Sequence, residues 1–84
     1  MSYMTHVVTL LYALYQCQRT MELVRPKDVL DLLREEGEPT GDFYKRLSYV
    51  RFKGYITPVK TRGKVKYISL SRTGLKYLRR RGLI

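Results

Sequence analysis

The residues best suited to chemistry lie in the second half of the chain, where thirteen cations are interleaved with aromatic rings and no acid intervenes. From Phe43 onward these are Lys45, Arg46, Arg51, Lys53, Lys60, Arg62, Lys64, Lys66, Arg72, Lys76, Arg79, Arg80 and Arg81, with Tyr44, Tyr49, Phe52, Tyr55, Tyr67 and Tyr77 among them. Guanidinium and ammonium groups suit phosphate oxygens in both charge and hydrogen bonding, and tyrosines add flat faces and hydroxyls. Up to Asp42 the chain holds four bases (Arg19, Arg25, Lys27, Arg34) and seven acids (Glu22, Asp28, Asp31, Glu35, Glu36, Glu38, Asp42), so the whole carries +10. Unopposed charge weakens a compact state through self-repulsion, so a folded domain built this way is expected to meet a polyanion, nucleic acid first. Bases mixed with acids and lacking aromatics would instead read as a solubility-promoting face.

Other chemistries find little to work with. His6 is the only histidine and sits in an apolar run, where a helix-end or interface role suits it better than that of a base. Cys17, between Gln16 and Gln18, has neither a His-Asp context nor a second cysteine. Asp28, Asp31 and Glu35 alternate with Lys27 and Arg34, which describes a solvated helix face rather than a metal site. No glycine-rich phosphate loop appears. Catalysis, metals and cofactors are therefore not expected.

Length and composition bound the rest. A chain of 84 residues with 44% hydrophobic side chains is expected to form one folded domain over residues 1–84. Chains of this size bury roughly 60 to 65% of their unfolded surface, so a deep cleft is not expected and a partner or self-association should add stability. A single cysteine excludes an internal disulfide. Residues 1–18 carry no Asp, Glu, Lys or Arg, yet Ser2, Thr5, His6, Thr9, Gln16 and Gln18 interrupt them too often for a spanning helix of about 20 apolar residues. A signal peptide would place positive charge ahead of its apolar core, whereas the first base is Arg19. The expected location is the cytoplasm or whatever compartment holds the partner.

Periodicity then supplies the elements. Met4, Val7, Val8, Leu10, Leu11, Tyr12, Leu14 and Tyr15 predict a first helix that is apolar nearly all round. Val7, Leu11 and Leu14 would serve its own core, leaving Val8, Tyr12 and Tyr15 to be covered by a second copy or by the remaining helices. Residues 20–24 read as a link, and Arg25-Pro26 opens a second helix with Val29, Leu30 and Leu33 inward and Gly37 beyond its end. Glu38-Pro39-Thr40-Gly41 is a turn, after which Thr40 or Asp42 can cap a third helix running to about Lys53. Phe43, Leu47 and Val50 form its buried stripe. Opposite lie Lys45, Ser48, Tyr49 and Phe52, flanked by Tyr44, Arg46 and Arg51. Tyr55–Val59 and Val65–Leu70 predict a hairpin with a basic loop turned by Gly63, and Pro58 marks its first strand as an edge. Ser71 caps a last helix with Leu75 and Leu78 inward, and Gly82 stops it. The dipole accounts for part of the Arg79, Arg80 and Arg81 cluster, which ranks as a secondary contact.

The run TGDFYKRLSYVRFKGYITPVKTRGKVKYISLSRTGLKYL, from Thr40 to Leu78, resembles the winged helix-turn-helix pattern of small transcription regulators. Its marks are the third helix with Leu47 and Val50, the Gly54-Tyr55-Ile56 exit, the basic hairpin around Gly63, and Leu70-Ser71 leading through Gly74 to Leu78. With the first two helices included, the element order is similar to that of the MarR-like and PadR-like groups, and the compact form resembles winged-helix proteins of archaea and their viruses. The implied fold class is α+β, a winged helix-turn-helix of three helices, a β-hairpin wing over about residues 55–70 and a C-terminal helix over about residues 71–81.

What the resemblance implies for function is double-stranded DNA binding and transcription regulation, with the helix over about residues 41–53 reading the major groove and the wing lying on backbone or minor groove. Carried over, the recognition-helix contacts are Thr40, Tyr44, Lys45, Arg46, Ser48 and Tyr49, and the wing contacts are Lys60, Arg62, Lys64 and Lys66. Val8, Tyr12 and Tyr15 are the candidate residues of a homodimer interface. Asp42 either caps the helix or accepts from a cytosine amine. No sensory domain and no long C-terminal dimerisation helix of the PadR kind is present, so induction by a small molecule is not expected. RNA binding, nonspecific DNA compaction and binding of an acidic protein surface remain as alternatives.

Overall fold

The computed structural model describes residues 3–60, 63 and 66–84. They form an α+β arrangement of four helices and one antiparallel hairpin, in the order α1 (Tyr3–Thr20), α2 (Pro26–Glu35), α3 (Phe43–Phe52), β1 (Ile56–Lys60), β2 (Lys66–Leu70) and α4 (Arg72–Arg80). Most of the apolar surface of α1 is accounted for by its position, since it packs against α2, α3, α4 and β2, while Val8, Tyr12 and Tyr15 stay half-buried. Val7, Leu11 and Leu14 are buried as their spacing predicts, and so are Leu10, Ala13 and Cys17. Val29, Leu30 and Leu33 of α2, Phe43 and Val50 of α3, Ile56, Ile68 and Leu70 of the hairpin and Leu78 of α4 complete one core.

Residues 20–24 do more than link. Val24 is buried and pairs with Ile68, whose amide donates to the Val24 carbonyl at 2.8 Å, so β2 lies between β1 and a one-residue bridge. Two residues on, the Leu70 amide donates to the Gln18 side-chain oxygen of α1 at 2.7 Å. The outer edge of β2 is thereby satisfied by α1 and by the chain that follows it. Because Ile68 directs its amide toward Val24, its cross-strand partner Pro58 occupies a position where no ladder bond to β2 is due. Proline's missing N–H then costs nothing, and β1 is the edge strand that Pro58 predicts.

Helices α2, α3 and α4 all end in the same way. In each, a glycine of positive φ (Gly37, Gly54, Gly82) donates back three residues and the residue after it donates back five, closing the last carbonyls. At the start of α2 the Asp28 carboxylate accepts from the Arg25 amide at 2.9 Å and from its guanidinium at 3.0 Å. These bonds hold Asp28 below the usual carboxylate range, the Arg25 side chain being the larger cause. Burial pushes the Cys17 thiol up, with Asp28 and Glu36 adding to the effect.

The start of α4 is locked to the end of α3. The Ser71 amide donates to the Tyr55 carbonyl at 3.0 Å, the Ser71 hydroxyl donates to the Gly54 carbonyl, and the same oxygen accepts from the Gly74 amide at 3.1 Å as the helix cap. Gly74 is buried against this junction, and a Cβ there would run into the Tyr55 carbonyl oxygen, with a Leu70 methyl also at 3.1 Å. Among the described residues no helix is long and apolar enough to cross a membrane.

Two outcomes follow for stability. Gly74→Ala should destabilise by about 1 to 3 kcal/mol, because backbone and not a pliable side chain must give way, and Ser71→Ala should cost about 1 kcal/mol, both read from urea denaturation. A carboxylate whose folded pKa is depressed contributes stability that is present above its unfolded pKa and lost as pH falls through the folded one. Stability should therefore drop on the acid side of the ordinary carboxylate range, and Asp28→Asn should flatten that part of the pH profile while leaving Tm less dependent on acid.

Candidate nucleic-acid interface

Which face α3 presents is decided by what its other face must bury. Phe43 and Val50 are buried and Leu47 is packed against the core, as their spacing predicts. With about 100° per residue, the opposite side carries Lys45, Ser48 and Phe52, with Tyr44 and Arg51 on one flank, and all five are exposed. Phe52 is 85% exposed and Tyr44 59%, the most exposed large hydrophobic side chains among the described residues. The Ser48 hydroxyl donates to the Tyr44 carbonyl one turn back at 3.1 Å. The Tyr44 ring stands edge-on to Phe43, centroids 5.1 Å apart, so the buried ring props the exposed one.

Arg46 departs from expectation. It is 8% exposed, and its guanidinium turns inward to donate to the Gly41 carbonyl, to the Pro39 carbonyl at 3.5 Å and to Nδ1 of His6 at 3.3 Å. A guanidinium has no acceptor, so Nδ1 of His6 must be the accepting nitrogen. Arg46 thus ties the turn before α3 to α1 and leaves the outward face; the expectation of a surface contact there is corrected. His6 is explained at the same time, as the α1 partner of this guanidinium. Tyr49 is half-buried against the core with the Lys53 ammonium 5.7 Å from its ring centroid, so it contributes a rim and not the centre of the face. Thr40 is half-buried, and its carbonyl accepts from the Phe43 amide at 3.2 Å. Asp42 occupies the cap position in the left-handed region, φ 58°, but its carboxylate caps no amide.

Arg51 and Phe52 take the places that Arg46 and Tyr49 were expected to hold. The spacing of Tyr44, Ser48, Arg51 and Phe52 at four and three residues would have identified them, since they repeat the buried stripe displaced around the helix.

In the hairpin, Lys66 is exposed, Lys60 closes β1 opposite it, and Gly63 turns with φ 97°. Arg62 and Lys64 lie outside the described residues. On α1, Val8, Tyr12 and Tyr15 are half-buried, the two tyrosine rings stacked 6.4 Å apart at 21°. Among the described residues no group of His, Cys, Asp and Glu could hold a metal ion.

No family model, curated protein or solved structure matches the chain.

The placement of Arg46 separates two neighbours of the same charge. Arg46→Ala should destabilise by about 1.5 to 3 kcal/mol, since it strands His6 and two carbonyls without their donor, whereas Lys45→Ala should change stability by less than about 0.5 kcal/mol. Chemical denaturation of the two variants side by side checks this.

Proposed function

We propose that the protein binds double-stranded DNA as a winged helix-turn-helix regulator, with α3 in the major groove and the hairpin against the backbone or minor groove. The observation that carries this reading is the outward face of α3, where Lys45 and Arg51 stand with Ser48, Tyr44 and Phe52 on a helix that contains no acid. The chemistry suits groove recognition: cations and a hydroxyl for base edges and phosphates, aromatic rings for thymine methyl groups. The α2-turn-α3 geometry supports it, because Arg46 fixes the turn from within and leaves the outer face unencumbered. A homodimer through Val8, Tyr12 and Tyr15 belongs to the same reading, and two-fold symmetry would set the two recognition helices about 34 Å apart. Sedimentation at several concentrations tests that part.

Exposed Tyr44 and Phe52 also favour a second reading, in which unpaired RNA bases stack on these rings. Duplex competition separates the two.

The deciding experiment is selection from a random duplex pool at physiological salt. An enriched inverted repeat with half-sites about one turn apart is the expected result; retention without enrichment would indicate a nonspecific coat, and no retention would refute duplex binding. With six to ten phosphates neutralised, log affinity should fall against log salt with a slope of about −5 to −9. Replacing thymine by uracil in the selected site removes the methyl groups alone. Each methyl covered by Phe52 or Tyr44 is worth about 0.8 kcal/mol, so affinity should fall about fourfold per contact, and Phe52→Ala should erase the share due to its ring.

A further inference from the structure

Helix α4 carries a charge arrangement that its own folding does not require. Arg72, Lys76, Arg79 and Arg80 are all exposed and share one face with Thr73, opposite buried Gly74 and Leu78. Like charges three and four residues apart on a helix repel each other. The helix dipole accounts for Arg79 and Arg80 in the last turn, but it disfavours Arg72 at the first position and is indifferent to Lys76 in the middle. No acid relieves them: α4 contains none, and the ion pair among the described residues is Arg25–Asp28 at the start of α2.

Beside this stripe runs an open groove of about 190 Å³, lined by Tyr55, Thr73, Lys76, Tyr77 and Arg80. Two of its lining residues are tyrosines. The Tyr55 and Tyr77 rings lie 4.8 Å apart, tilted by 33°, and the Arg81 guanidinium sits 5.0 Å from the Tyr77 centroid while donating to its hydroxyl at 3.1 Å. The groove starts where α3 ends, because Tyr55 directly follows the Gly54 cap and Ser71 bonds to both. Exposed Arg51, Phe52 and Lys53 lie just ahead of that junction.

We propose that the α4 stripe and its tyrosine-lined groove form a second contact, for the sugar-phosphate backbone of the duplex whose bases α3 meets. The strand leaving the C-terminal end of α3 would cross Tyr55 and run along Arg72, Lys76 and Arg80, with the Thr73 hydroxyl as an added donor. This rests on the duplex-binding reading above and extends the secondary contact expected at Arg79, Arg80 and Arg81 to Arg72, Lys76 and the groove beside them. Phosphate contacts position a protein without reading sequence, so the contribution of α4 is uniform across targets.

The test is the triple variant Arg72→Gln, Lys76→Gln, Arg80→Gln, compared with the wild type on one selected duplex and on scrambled duplexes across a salt series. Glutamine keeps helix propensity and removes only charge. The expected result is a salt slope smaller in magnitude by about 2.7, with affinity reduced by the same factor on every sequence and the enriched motif unchanged. The Tm of the unbound variant should stay within a few degrees of the wild type, since relieved repulsion at Arg72 and Lys76 offsets the dipole interaction lost at Arg80, and this shows that the fold is intact. An unchanged slope and affinity would overturn the inference, and so would an altered sequence preference. If the wild type itself binds no duplex, the duplex reading fails first and takes this one with it.

Discussion

The carbonyl of Tyr55 is the point on which the second half of the molecule turns. It receives the Ser71 amide, and it occupies the space that any side chain at position 74 would need. Three elements meet there: the glycine-capped end of α3, the start of β1 and the first turn of α4. Glycine at 74 lets α4 approach that carbonyl, and Ser71 satisfies the helix's own amide while holding Gly54. The angle between α3 and α4, and with it the distance between the charge on one and the charge on the other, is therefore set by backbone contacts and not by side chains that could relax. This matters in a half-chain with thirteen cations and no acid, which has no ion pairs of its own to fix its geometry.

That half-chain uses its cations unequally. Arg46 is drawn inside and satisfied by His6 and two turn carbonyls, so it behaves as a structural pin whose loss would leave part-buried acceptors without their donor. Lys45 and Arg51, its neighbours on the same helix, face outward. A guanidinium can play the internal part because its planar fork reaches several acceptors at once, which an ammonium on a flexible stem would not reproduce. The acidic first half contributes elsewhere: Asp28 organises the start of α2, while Asp31, Glu35 and Glu36 remain exposed on that helix and its end. The charge asymmetry seen along the sequence thus corresponds to a division between helix α2 and the α3-hairpin-α4 unit.

Much of this was legible beforehand because it rests on period and punctuation. The four helices, the hairpin, the edge position of Pro58, the Ser71 cap and the glycine stops all come from spacing rules that act locally. The inward Arg46 was not legible, since a charged residue beside a buried stripe is ordinarily solvated; only the acceptors brought up by the turn and by α1 make burial favourable. Measured from the centre of Phe43, Leu47 and Val50, Arg46 stands about 65° to one side and Arg51 about 75° to the other, so the helical repeat alone does not tell the inward guanidinium from the outward one. The Val24 bridge was invisible for another reason. A single paired residue has no periodicity, and its partner Ile68 is 44 positions away. The groove under Tyr55 and Tyr77 likewise needs two segments joined by the hairpin, so neither segment announces it alone.

A recognition surface works best when its elements lose little freedom on binding. Helix α3 meets that condition from three directions: Phe43 and Val50 anchor it in the core, Arg46 fixes its entrance, and the Gly54-Ser71 junction fixes its exit. The outward residues are then long or flat side chains on a backbone already held in place. Phe52 is the sharpest case, because an apolar ring 85% exposed in water weakens the free protein's solubility and gains nothing from its own fold. On the proposed reading, its exposure next to Arg51 is the apolar contact that α3 offers a duplex. The same logic applies to Lys76 and Arg72 on α4: each is placed where the isolated helix is made less stable by it. Residues that work against the free state, gathered at both sides of one rigid junction, have a physical rationale once a partner supplies the negative charge and the apolar contact that the chain itself lacks.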